Sequence, residues 1–187
     1  PFNIRGGQID IGREGINAEG LQYLALLSKR MYIDGQIYAK GADVDLIAGD
    51  FDYNPNTRDN TKQGVNNNEL LISSSAFGSI YGNQIKIVGI NGNIGVAGDV
   101  ISERVLKINA DGTIVTNKTQ SKEATEIKGK EYTQNTSTYT EGNLTIDADK
   151  VILKGNGTQA GNILITGDLE NEVNIYSGND INIGKGL

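Results

Sequence analysis

Cysteine and histidine are both missing from this chain of 187 residues. Without cysteine there is no thiolate nucleophile, no disulfide and no Cys-based zinc site. Without histidine the usual proton shuttle and the commonest metal ligand are gone. Carboxylates are the catalytic groups left to consider. Only 2 prolines interrupt the chain, and no apolar run approaches the length of a membrane span. The opening residues Pro1-Phe2-Asn3 lack the charged and then apolar pattern of a signal peptide, so the start reads as a cut or processed end. The 17 basic residues are scattered singly against 23 acidic ones, for a net charge of -6. With no Lys/Arg stripe, neither nucleic acid nor an anionic bilayer is an expected partner.

Glycine, at 25 residues, is over-represented, and Asn, Thr and Ser are abundant, a profile of many short strands joined by turns. Alternation of apolar and polar residues marks the strands: Ile9/Ile11, Met31/Ile33, Val44/Leu46, Leu70/Ile72, Ile85/Ile87, Leu106/Ile108, Leu144/Ile146, Val151/Leu153, Ile163/Ile165, Val173/Ile175 and Ile181/Ile183. Between them lie Asp34-Gly35, Asn91-Gly92-Asn93, Asp111-Gly112, Gly155-Asn156-Gly157 and Gly178-Asn179-Asp180, residues suited to corners. Comparable strands recur at roughly 18 to 22 residues, the period of a solenoid. A β-sandwich also alternates, but its hairpins need no such period. The chain is therefore expected to be all-β, a right-handed parallel β-helix of roughly eight coils and about 40 Å, with Ile, Val and Leu laddered inward.

Two stretches break the rhythm. Gly20 to Arg30 has helix-compatible apolar spacing but reads as strand and corner. Residues 50–69 are almost wholly polar and without period, so they are expected to leave the coil as an excursion that protrudes and is dispensable for folding. Phe51 and Tyr53 are its exceptions, able to fold back on the outer wall.

The ordered blocks Gly6-Gly7-Gln8-Ile9-Asp10-Ile11-Gly12, Tyr23-Leu24-Ala25-Leu26-Leu27-Ser28, Ile33-Asp34-Gly35-Gln36-Ile37-Tyr38 and Val44-Asp45-Leu46-Ile47-Ala48-Gly49 resemble the later part of the two-partner secretion domain of filamentous-haemagglutinin-like exoproteins. Gly78-Ser79-Ile80-Tyr81-Gly82-Asn83 and Asp111-Gly112-Thr113-Ile114 extend the likeness to about residue 116. From residue 117 to 187 a haemagglutinin-type repeat style continues, as in Gly142-Asn143-Leu144-Thr145-Ile146. Asn54-Pro55-Asn56 lies in the excursion and lacks the glycine of the family's Asn-Pro-Asn-Gly secretion motif; it reads as a turn. The resemblance implies export through a partner outer-membrane barrel and display or release by a Gram-negative bacterium. It further implies adhesion, haemolysis or the carriage of a toxin, with a receptor or glycan on a host or neighbouring cell as partner.

Candidate sites are few. The carboxylate pairs Asp43/Asp45, Asp50/Asp52 and Asp147/Asp149 share strand faces, as acid/base chemistry on polysaccharides would need, but they adjoin turn residues. Gly178 to Gly184 faintly resembles a calcium-binding nonapeptide in a single copy without the double glycine, and reads as a corner. Sequons stand at Asn117, Asn135, Asn143 and Asn156. Tyr132 and Tyr139, with Gln134, Asn135, Thr136 and Thr138, read as a polar outer face able to stack on sugars. No catalytic, metal or cofactor site is expected, and the candidate contact residues are Phe51, Tyr53, Tyr132 and Tyr139. The reading is a non-catalytic adhesive or stalk segment; a polysaccharide-binding or polysaccharide-cleaving β-helix is the alternative.

Overall fold

The computed structural model describes residues 1–184. Among these the alternating segments form short strands and no helix, and successive coils pair in parallel, as expected for a parallel β-helix. Each coil gives one strand to each of three faces. On the first face Ile9, Met31, Ile72, Ile94, Ile114, Tyr132, Val151 and Leu169 stand rung above rung. The second face stacks Ile16, Ile37, Ile80, Val100, Thr119, Thr138, Thr158 and Ile175. The third stacks Leu26, Leu46, Ile87, Ile108, Ile127, Ile146, Ile165 and Ile183. Seven intervals of about 4.8 Å place the end rungs about 34 Å apart.

Apolar side chains of these ladders fill one continuous core, with Ile9, Ile16, Leu26, Leu169 and Ile175 partly buried against its ends and Ile183 outside it. Burying each Ile or Leu stabilises by about 1.5–3 kcal/mol, and the backbone polar groups are satisfied from coil to coil. Corners are tight because coils stack directly. Gly167 has φ 106° and a Cβ there would overlap the Ala148 carbonyl one coil away, so only glycine fits.

The interior changes character along the rod. On the second face valine and isoleucine give way to Thr119, Thr138 and Thr158, all within 2% exposure. Their hydroxyls are matched. Gln134 Oε1 accepts from Thr138 Oγ1 at 2.7 Å and Thr158 Oγ1 at 2.9 Å, while its Nε2 donates to the carbonyls of Lys154 at 3.0 Å and Gly157 at 3.2 Å. That uses the full capacity of the amide. Thr116 and Tyr132 share a hydrogen bond of 2.6 Å. The outer face expected of Tyr132, Gln134 and Thr138 is thus corrected: the register Ile114–Tyr132 and Thr116–Gln134 turns them inward, and hydroxyls and an amide replace methyl groups in the core.

Three further placements differ from expectation. Leu70 is 55% exposed and Leu71 takes the inward position beside Ile72, across a register shift. Ile181 and Ile183 are exposed, since no rung is stacked on them among the described residues. The excursion is not a free protrusion. Phe51–Asn54 pairs antiparallel with Phe2–Ile4 on one edge and Asp59–Lys62 on the other. This small sheet lies on the outside of the third face, where Phe51 and Tyr53 form a second buried cluster with Ile47, Val88 and Ile90. Leu27, Ile47 and Val88 share one outward column of that face, an apolar strip the excursion covers. Residues 50–69 therefore do leave the coil, but their first strand is part of the core.

The outward row of the second face consists of Asn17, Tyr38, Tyr81, Ile101, Gln120, Tyr139, Gln159 and Tyr176, one per rung and none charged. Tyr38 and Tyr81 pack with ring centroids 6.1 Å apart.

Candidate functional site

Alternation along Ala42–Ile47 points Ala42, Val44 and Leu46 into the coil and leaves Asp43 and Asp45 outward, beneath the excursion. Arg58 is delivered there by its φ of 64° in the turn between the two excursion strands. Its Nη1 lies 3.5 Å from Asp43 and its Nε 3.6 Å from Asp45. Asn83 Nδ2 donates to the other Asp43 oxygen at 3.0 Å. Tyr23 donates to Asp45 at 2.6 Å and also hydrogen-bonds Tyr53. Burial, and then the hydrogen bond to the Asp45 carboxylate, push the Tyr23 hydroxyl far above the usual tyrosine range, so it stays a donor.

This arrangement holds rather than reacts. Asp45 is only 3% exposed and surrounded by donors, and Asp43 is bound on both oxygens. Asp50 pairs with Lys29 at 2.7 Å and Asp52 with Arg5 at 2.8 Å, fastening the base of the excursion. Asp147 accepts from Thr166 at 2.7 Å on the outer wall, away from these pairs. The three carboxylate pairs are not gathered into one cleft. Among the described residues no group of three or more His, Cys, Asp or Glu is placed to hold a metal ion. The corner at Gly178 spends its amides on the preceding coil, Gly178 N to Ala160 O at 2.9 Å and Asn179 N to Gly161 O at 2.8 Å. Asn135, Asn143 and Asn156 are exposed, whereas Asn117 donates to Ala97 O at 2.8 Å. Among the described residues no helix is long and apolar enough to cross a membrane.

The four candidate contact residues do not form one surface. Phe51 at 0%, Tyr53 at 1% and Tyr132 at 0% exposure are interior, and a buried ring cannot meet a receptor. Tyr139, at 38%, faces outward on the second face. Tyr23 and Arg58 were not singled out from sequence. Their signal was indirect: paired outward carboxylates on a nearly buried strand need a donor, and Arg58 is the arginine of the excursion.

No family model matches the chain. It is 27% identical over 124 residues to filamentous haemagglutinin of Bordetella pertussis (strain Tohama I), covering 60% of this chain and 4% of that protein. It is 28% identical over 119 residues to tRNA nuclease CdiA-2 of Burkholderia pseudomallei (strain 1026b), covering 61% of this chain and 4% of that protein. The chain thus spans about 4% of the length of the curated relatives it matches. Among solved structures, the filamentous haemagglutinin secretion domain superposes with a TM-score of 0.62 at 18% identity, over 97% of this chain and 53% of that one. The likeness read from the ordered sequence blocks holds: the chain is filamentous-haemagglutinin-like in sequence and in fold.

Proposed function

We propose that the chain is a non-catalytic segment of a large exoprotein, passed through a partner outer-membrane barrel and serving at the surface as an adhesive stalk or as the carrier of a distal activity. The observation that carries this reading is the disposition of the carboxylates: those of the first two pairs are tied to Arg58, Lys29 or Arg5 in support of the fold, and the third pair stands apart on the wall. Polysaccharide cleavage would need two convergent carboxylates free to exchange protons.

The division at residue 116 also belongs to this reading. Coils before it have apolar ladders on all three faces and carry the covering sheet; in the coils after it Thr119, Thr138 and Thr158 fill the second face. We assign the first part to the secretion-type helix and the remainder, to residue 187, to continuing repeats, of which the last three residues lie outside the described structure. The test is to coat beads with the chain and measure attachment to epithelial and bacterial cells, while assaying pectate and alginate for new reducing ends. Saturable attachment without product is expected; turnover of either polymer would overturn the reading.

A further inference from the structure

The uncharged outward row of the second face ends in a groove. Tyr139 pairs with Gln159 and Gln159 with Tyr176, so the two rings stand two rungs, about 9.6 Å, apart along the rod axis. They are 38% and 62% exposed. Together with Ser137, Asn156 and Asn174 they border a groove of about 270 Å³. The side-chain amides of Asn156, Gln159 and Asn174 have no hydrogen-bond partner among the described residues. On the far side the strands run into Gly161 and Gly178, which raise no side chain above the surface.

These features specify a ligand. Two exposed aromatic rings offer apolar faces for the C–H faces of pyranoses. Free amides between them suit hydroxyl groups, which donate and accept. The ring separation is close to the span of a disaccharide in an extended β-linked chain, so both rings can meet the same face of alternate sugars. An extended peptide fits poorly, because this is the face of a sheet whose backbone groups are already paired, not an edge open to strand addition. An anionic chain fits poorly too, since the strand segments 137–140, 157–160 and 175–177 that carry the site hold no Lys or Arg, and at the margin beside Tyr139 the charge of Lys122 is offset by Glu141.

We propose that Tyr139, Gln159 and Tyr176 form a binding site for a neutral, extended, β-linked glycan lying along the rod axis, a proposal that deepens and rests on the adhesive reading. Both rings already face outward, so the site needs no movement of the core.

The test titrates the whole chain with cellohexaose, chitohexaose and heparin by calorimetry, with two-dimensional NMR to locate the contact. At least one neutral hexasaccharide should bind saturably, shifting resonances of residues 137–139, 156–159 and 174–176. Tyr139→Ala and Tyr176→Ala should each weaken binding about tenfold, the scale of a single aromatic contact, and the double variant should abolish it. Tyr38→Ala, on a distant rung, should bind as the parent does. Unchanged circular dichroism and thermal midpoint in each variant separate loss of contact from loss of fold. Failure of both neutral oligomers to saturate, or undiminished binding by the double variant, would overturn the site. Cell attachment by the parent chain without binding of either neutral oligosaccharide would overturn the site and leave the adhesive reading standing. Oligosaccharide binding without cell attachment would do the reverse.

Discussion

The guanidinium carbon of Arg58 lies 4.0 Å from the centroid of the Tyr23 ring, and the same side chain reaches the buried Asp45. One residue of the excursion therefore grips both an aromatic face and a carboxylate of the coil. Arg58→Ala should cost about 1–3 kcal/mol, less than a fully buried pair because Arg58 is 40% exposed. Arg58→Lys should recover only part, since an ammonium neither stacks nor forks. Urea denaturation of the three proteins checks the order.

Alkaline pH should loosen the same latch. Tyr23 is held well above its ordinary 10.0 by burial and by Asp45. Below about pH 10 both folded and unfolded chains keep the proton, and this contribution is fully present. Above it the unfolded chain loses protons that the native state retains, so stability falls by up to about 1.4 kcal/mol per pH unit per tyrosine. Tyr132, raised by its burial, adds a second share with the same sign. Tyr23→Phe should flatten the fall between pH 10 and 11.5 while costing about 1 kcal/mol at neutral pH for the lost hydrogen bond. An unchanged slope would show that Tyr23 is not held in this way.

Phe51 is expected to behave as a core residue despite its polar surroundings in the sequence. It is fully buried against Ile47, Val88 and Ile90. Phe51→Ala should cost about 3–4 kcal/mol and open residues 50–69 to limited proteolysis. An excursion that merely protruded would lose less than about 0.5 kcal/mol.

Inside the second half of the rod, Gln134→Leu tests the polar core. It would strip an acceptor from Thr138 and Thr158 and a donor from two carbonyls. A loss of about 2–3 kcal/mol is expected. A glutamine on the outer wall could be replaced almost without effect.

These cases mark where the sequence was legible. Ladder residues such as Ile87, Ile108 and Ile146 could be read directly, because strict alternation with a period near 20 has one cheap solution, an inward stack. Threonine hid the rest of the second face: its shape suits an inward ladder, but its hydroxyl reads as exposed until Gln134 supplies the partner. Phe51 and Tyr53 could be seen as exceptions in a polar run, whereas the strip Leu27–Ile47–Val88 that they cover appears only when the coils are stacked. The register Leu70/Leu71 was set by a local irregularity that no periodicity reveals. Tyr176 gains meaning only from the rungs that align it with Tyr139.

Stacking of coils is the central claim, and the cysteine-free chain allows a direct measurement of it. Asp10, Val115, Thr133, Ile152 and Glu170 all lie in one outward column of the first face. Spin labels placed at Asp10→Cys and, in turn, at a cysteine replacing each of the others should give narrow distance distributions by pulsed electron resonance. The centres should rise by about 4.8 Å per rung, from about 19 Å at Val115 to about 34 Å at Glu170. Distances that fail to increase in step along that series, or that double back as they would between the sheets of a sandwich, would contradict the β-helix.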